Sequence, residues 1–146
     1  MKILLVILVI GAINSNACEF ESAYEVASEQ VAFVNALKAA TKVDNKKRIS
    51  ELIAYPLSIS LENGELLRLE TEADFIKNYE VIFNSNVKEA ILKQEIEALF
   101  FTWRGLMVGH GHVWITGVIS DGDITTYWIT TINTDAPPVT ECHPSG

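Results

Sequence analysis

Leu99-Phe100-Phe101-Thr102-Trp103, then Gly105 to Thr116, then Asp123 to Asn133, is the stretch that decides the fold. Each run is rich in aromatic and β-branched residues, which suit a half-buried pleated surface. Ser120-Asp121-Gly122-Asp123 separates the last two runs with a glycine-containing turn. The spacing predicts three consecutive strands, one over 99–103, one over 105–116 and one over 123–133, joined as an antiparallel meander. From Ala136-Pro137-Pro138 onward the composition changes, and a tail is expected from about residue 134.

The chain before residue 97 has a different period. Val26, Phe33, Val34 and Leu37 fall at helical spacing, so a helix is predicted over 22–40. Ser22 with Glu25 three positions later forms a capping-box pattern at its start. A second helix is predicted over 45–54, capped by Asp44 and ended by Tyr55-Pro56, because the residue before proline is pushed out of the helical region. Leu57-Ser58-Ile59-Ser60-Leu61 alternates as a strand does. Asn63-Gly64 is a strong hairpin signal, and Leu66 to Leu69 is the return strand. Thr71 with Asp74 caps a third helix carrying Phe75, Ile76, Tyr79, Ile82 and Phe83, and another helix is predicted over 86–95. Helices first and strands late imply an α+β fold, with the long helix packed across the concave face of a curved antiparallel sheet.

The N-terminus carries an address. Lys2 precedes an apolar run from Ile3 to Ile10, and Ser15 and Ala17 supply the small residues of a cleavage site. This is the layout of a secretory signal peptide over residues 1–17. The apolar run is shorter than the ~20 residues that span a bilayer. The expected mature protein is one domain, 18–146, periplasmic or secreted, with no stable membrane insertion. Cys18 and Cys142 are the two cysteines. In an oxidising compartment an isolated pair is expected to bond, and a loop this long allows about 4–5 kcal/mol of stabilisation. The rival reading is lipidation of Cys18, but Ser15 stands where a lipobox carries an aliphatic residue.

The net charge is −8, from nineteen acidic and eleven basic residues. Such a surface repels phosphate backbones and anionic headgroups, so nucleic acid is not an expected partner. Lys46-Lys47-Arg48 is short and reads as surface charge.

The order helix, helix, hairpin, helices, meander resembles the NTF2-like superfamily, of cystatin-like fold. The segment Trp103-Arg104-Gly105-Leu106-Met107-Val108-Gly109-His110-Gly111-His112-Val113-Trp114-Ile115 is similar to a "GxMxGxGxxW" strand-turn of uncharacterised secreted bacterial members, with Ile82-Phe83-Asn84 and Val87 to Ile91 fitting the same pattern. The resemblance covers residues 22–133 and implies a cone-shaped α+β barrel that often encloses a pocket. Fold membership alone carries no activity across.

Several side chains are candidates for a site. His110 and His112, two apart on a strand, would share a face and could offer two metal ligands, but no third ligand has a recognised spacing. No metal and no cofactor is therefore expected. Gly105, Gly109 and Gly111 lack the following helix that a phosphate loop needs and read as bends. Trp103, Trp114 and Trp128, on the three late strands, are core aromatics or the lining of a binding surface. Tyr24, Tyr55, Asp74 and Tyr79 are the residues for acid-base work if they converge, with Asp74 as a carboxylate of raised pKa. The expected function is a non-enzymatic module binding a protein or a small apolar or polar ligand, with a homodimer through the sheet face as a further option. A pocket enzyme of the isomerase or hydrolase kind is the first alternative. An inhibitor or immunity-type partner of a secreted toxin or cell-wall enzyme is the second, because an acidic surface suits a basic partner.

Overall fold

The computed structural model describes residues 22–139. The expected leader over residues 1–17, Cys18 and Cys142 lie outside the described residues. The element order is α1 (Ser28–Lys42), α2 (Lys46–Ser50), β1 (Leu57–Ser60), β2 (Leu66–Leu69), α3 (Glu72–Lys77), α4 (Tyr79–Ile82), α5 (Ser85–Lys93), a 3-10 turn (Ile96–Ala98), β3 (Phe100–Thr102), β4 (Gly105–Val108), β5 (Val113–Ser120) and β6 (Asp123–Ile132). The fold is α+β. Strands β3-β4-β5-β6 form one antiparallel sheet and β1-β2 a separate hairpin. Among the described residues no helix is long and apolar enough to cross a membrane.

The meander has four strands where three are expected. The run from Gly105 to Thr116 is broken at Gly109–His112, which turn the chain back so that Val108 pairs with Val113 and Leu106 with Ile115. Two glycines with positive φ, Gly109 at 66° and Gly111 at 93°, make that reversal within four residues. Pairing continues through Ile115–Ile129 and Gly117–Tyr127, with register shifts at Trp114/Ile115 and Val118/Ile119. Such bulges bend a strand and increase its twist.

The start of α1 also differs from expectation. Ser22 does not cap the helix. Its hydroxyl donates to the Leu99 carbonyl (2.9 Å) and accepts from the Phe101 N–H (2.9 Å). The N–H groups of Ala23 and Tyr24 both reach the Phe101 carbonyl. Residues 22–24 therefore lie along the outer edge of β3, satisfying backbone groups that an open edge would leave unpaired. The helix begins six residues later, where the Gln30 side chain accepts from the Ala27 N–H (2.8 Å). The edge of β6 is met at Ile129, which exchanges backbone bonds with Leu52 and Ala54. That contact draws Leu52 and Ile53 out of the expected second helix, which ends at Ser50. Its cap is Asn45, accepting from Arg48 N–H, and not Asp44.

The expected third helix is interrupted at Asn78, whose side chain donates to the Asp74 carbonyl (2.8 Å) and so competes with the helical ladder. The break leaves Phe75, Tyr79 and Phe83 in one buried cluster, with ring centroids 5.4–5.8 Å apart. They pack with Val34 and Leu37 of α1, Ile91 of α5 and Leu106, Val108, Val113, Ile115 and Ile129 of the sheet. Each such side chain contributes about 1.5–3 kcal/mol by burial. After β6 the chain returns over the body: Thr134 is buried, and Asn84 and Asn86 donate to the Thr134 and Ala136 carbonyls.

Candidate functional site

The two histidines do not lie on a strand. His110 and His112 sit in the β4–β5 turn. His112 is fully buried, and its Nδ1 accepts the His110 N–H (3.1 Å) while its Nε2 faces Asn86 Oδ1 (3.2 Å). Asn86 donates its amide to the Ala136 carbonyl, so its oxygen faces His112 and the imidazole carries its proton on Nε2. Both ring nitrogens are thus used in holding the turn. Burial, reinforced by His110, lowers the His112 pKa to about 4.

The acid-base candidates are engaged separately. Asp74 accepts from the Glu70 and Thr71 N–H groups (2.9 Å each) and from the Thr71 hydroxyl (3.1 Å). Those backbone bonds, more than any other cause, lower its pKa, which is opposite to what a general base of raised pKa requires. It is the N3 residue of a true capping box. Thr71→Ala is expected to cost about 1 kcal/mol in urea unfolding. Asp74→Ala should destabilise in the same direction. Because the folded-state pKa of Asp74 is depressed, that contribution is present above its unfolded pKa and fades as pH falls through the folded one. Tyr79 is buried and donates to Asp44 Oδ1 (2.7 Å), which also pairs with Lys88 (2.7 Å). Lys46 and Lys88 lie against the Tyr79 ring, 4.8 and 5.0 Å from its centroid. Tyr55 donates to the Ser50 carbonyl (3.0 Å). Burial first, then the Glu72 and Asp74 carboxylates, raise its pKa. Asp74 and Tyr55 bond to their own sequence neighbours and Tyr79 joins α4 to the Asp44–Lys88 pair, and none of the three lines the cleft described next.

Trp103 is the candidate the structure singles out. It occupies the two-residue β3–β4 turn, not a strand, and is 80 % exposed. The Arg104 guanidinium lies 5.2 Å from its ring centroid. Trp103 borders an open cleft of about 260 Å³ at the N-terminal end of α1. Tyr24, Phe101 and Tyr127 supply the other aromatic walls, with Gln30 behind them and Gly105 and Gly117 below. Tyr24 and Phe101 meet at 5.5 Å with a 56° tilt. Phe101, Gly117 and Tyr127 share the sheet face that carries Leu106, Ile115 and Ile129, by register and by the two-residue alternation of strands. That face is covered by helix elsewhere. Here α1 has not yet begun, and the chain before it has moved to the β3 edge. The later start of α1 therefore opens the cleft.

Burial is the main cause that raises the Tyr127 pKa, and the Glu29 carboxylate on the first turn of α1 adds to it. Trp114 and Trp128 are half-buried on the opposite sheet face, Trp114 in a row with Met107 and Thr131, Trp128 across from Thr116. They do not reach the cleft lining. Gln30 and Gly117 carry no signal in the sequence, and Phe101 and Tyr127 stand there among late-strand aromatics that are either core or the lining of a pocket or partner surface. One available signal was Trp103-Arg104-Gly105, since a tryptophan in a tight turn beside arginine and glycine has little core to enter. Comparison with known families, curated proteins and solved structures finds no match for this chain.

Proposed function

We propose that the chain is an exported, non-enzymatic binding module of NTF2-like shape, and that it engages another protein through the cleft at the N-terminal end of α1. The observation that carries the reading is Trp103, an indole 80 % exposed at the mouth of an aromatic cleft. Tryptophan and tyrosine dominate binding hot spots because they bury large areas at little cost in side-chain freedom. Single exposed apolar residues are ordinary. Here they are grouped: Tyr24 is 53 % exposed, and Ile119, at 67 %, follows Gly117 by two residues on the same face of β5, towards the hairpin tip. This surface extends past the cleft, farther than a small ligand would need. The leader over residues 1–17 supports export, and the order of elements, with the β1–β2 hairpin beside β6, supports the NTF2-like assignment.

The test is an NMR titration with blocked tripeptides, acetyl-Gly-X-Gly-amide, where X is Leu, Trp, Arg or Glu. At least one should shift the Trp103 indole signal together with Tyr24 and Tyr127 at millimolar concentration, and Trp103→Ala should abolish the shifts without changing the rest of the spectrum. If none of the four perturbs the cleft, the reading is wrong.

A further inference from the structure

The largest side chains lining the cleft are aromatic, and one acid and one base flank it, Glu29 on the first turn of α1 and Arg104 beside Trp103. Tyr24, Phe101, Trp103 and Tyr127 present aromatic rings from the segment before α1, from β3, from the β3–β4 turn and from β6. The faces of such rings carry negative electrostatic potential and attract cations, tryptophan most strongly. Trp103 already shows this property within the chain, because the Arg104 guanidinium stacks against it. Glu29 stands on the adjoining helical turn with its carboxylate fixed by the Ser28 hydroxyl (3.0 Å). The dipole at the start of α1 opposes a cation with about half a unit of positive charge, which the full negative charge of Glu29 exceeds. The protein as a whole carries −8, so a positively charged partner is attracted over long range as well.

We propose that the cleft is a receptor for an arginine side chain projecting from a basic polypeptide, the guanidinium lying among the rings of Tyr24, Trp103 and Tyr127 with Glu29 at the rim. The inference rests on the binding reading above and adds the chemistry of the partner. Guanidinium suits the site better than a compact ammonium: it is planar, weakly hydrated and stacks on aromatic faces. The exposed Ile119, beyond Gly117 on the face of the cleft, favours a polypeptide source over a free small cation.

Citrulline supplies the decisive comparison, because it keeps the shape and most donors of arginine and loses the charge. Titration followed by NMR should give acetyl-Gly-Arg-Gly-amide about ten-fold tighter binding than acetyl-Gly-citrulline-Gly-amide, the size expected of a partly desolvated cation–π contact. The preference should shrink with added salt, and Glu29→Gln should reduce it while leaving the Leu tripeptide unaffected. Trp103→Phe should retain part of the preference and Trp103→Ala none. Equal binding of the two peptides would overturn the proposal while leaving a binding cleft. Tighter binding of tetramethylammonium than of the arginine peptide would overturn the polypeptide source. Failure of every peptide to shift Trp103, Tyr24 or Tyr127 would overturn the binding reading as well.

Discussion

Replacing Gly105 by alanine is expected to cost about 4 kcal/mol of folding stability, the sum of backbone strain and overpacking of roughly 1–3 kcal/mol each. Gly105 adopts φ of 120°, outside the region that L-residues occupy with ease. A Cβ there would stand 2.5 Å from the Ile115 carbonyl oxygen and 3.2 Å from Thr116 Oγ1. The nearer atom is backbone of the paired strand and cannot rotate away. Relief requires β4 and β5 to separate at the Leu106–Ile115 pair, next to the β3–β4 turn, so the loss extends to the cleft that Gly105 lines. Against a total stability of about 5–15 kcal/mol, such a change leaves a marginal protein. Gly64→Ala is the control. Gly64 also has a positive φ, 82°, but a Cβ there meets nothing within 4 Å. It should lose only about 1–2 kcal/mol, the strain term alone. Urea unfolding followed by circular dichroism separates the two, and equal losses would show that the close approach at Gly105 is relieved.

What was legible in the sequence follows the range of the interactions involved. The β1–β2 hairpin is written locally, by Leu57-Ser58-Ile59-Ser60 and Asn63-Gly64, and it forms over the expected residues, with Leu57 opposite Leu69 and Ser60 opposite Leu66. The Thr71–Asp74 capping box is equally local, since its donors and acceptors lie within four residues. The α+β class follows from periods of 3.6 and 2 in successive parts of the chain. The failures are long-range. Ser22 has the sequence of a helix cap and the structure of an edge-strand partner, because Leu99 and Phe101, almost eighty residues away, compete for its hydroxyl. Leu52 and Ile53 continue a helical stripe but are taken by Ile129. Gly109-His110-Gly111-His112 lies between two apolar runs without a proline or an Asn-Gly pair, so its glycines read locally as bends within one strand, not as a reversal between two.

The candidate site was legible only in part for the same reason. Trp103 and Tyr24 are both visible in the sequence as chemically capable residues, but whether they border one cleft depends on where α1 starts. With a helix from Ser22, Tyr24 would lie on a helical face over the sheet and the cleft would be filled. With the observed start at Ser28, the same tyrosine borders the cleft beside Phe101. Six residues of helix decide whether the aromatic end of the sheet is core or surface. The polar candidates went the other way: the carboxylate of Asp74 and the phenols of Tyr55 and Tyr79 each found a nearby structural partner.

Acidification should destabilise the protein through His112, by about 3 kcal/mol once the pH has fallen to about 4. At neutral pH the buried imidazole is uncharged, accepting at Nδ1 from His110 N–H and donating from Nε2 to Asn86. A proton on Nδ1 would face the His110 N–H, donor against donor, and would place a charge among buried groups. His110, the titratable neighbour in the same turn, adds repulsion when it is protonated. The folded-state pKa of about 4 lies below the ordinary 6.5, so the unfolded chain binds the proton more readily. The contribution of the neutral ring is complete above pH 6.5 and is lost progressively between about 6.5 and 4. The carboxylates held by hydrogen bonds and lysines, Asp44, Asp74, Glu51 and Glu80, all have lowered pKa values, so their contributions fail mainly at still lower pH and the two windows separate. Urea unfolding of the parent and of His112→Gln at a series of pH values gives the test. The variant should be weaker at neutral pH and nearly flat across the window where the parent declines, while His110→Ala should keep most of the decline. A parent whose stability does not change between about pH 6.5 and 4.5 would mean that His112 is reached by water and titrates normally.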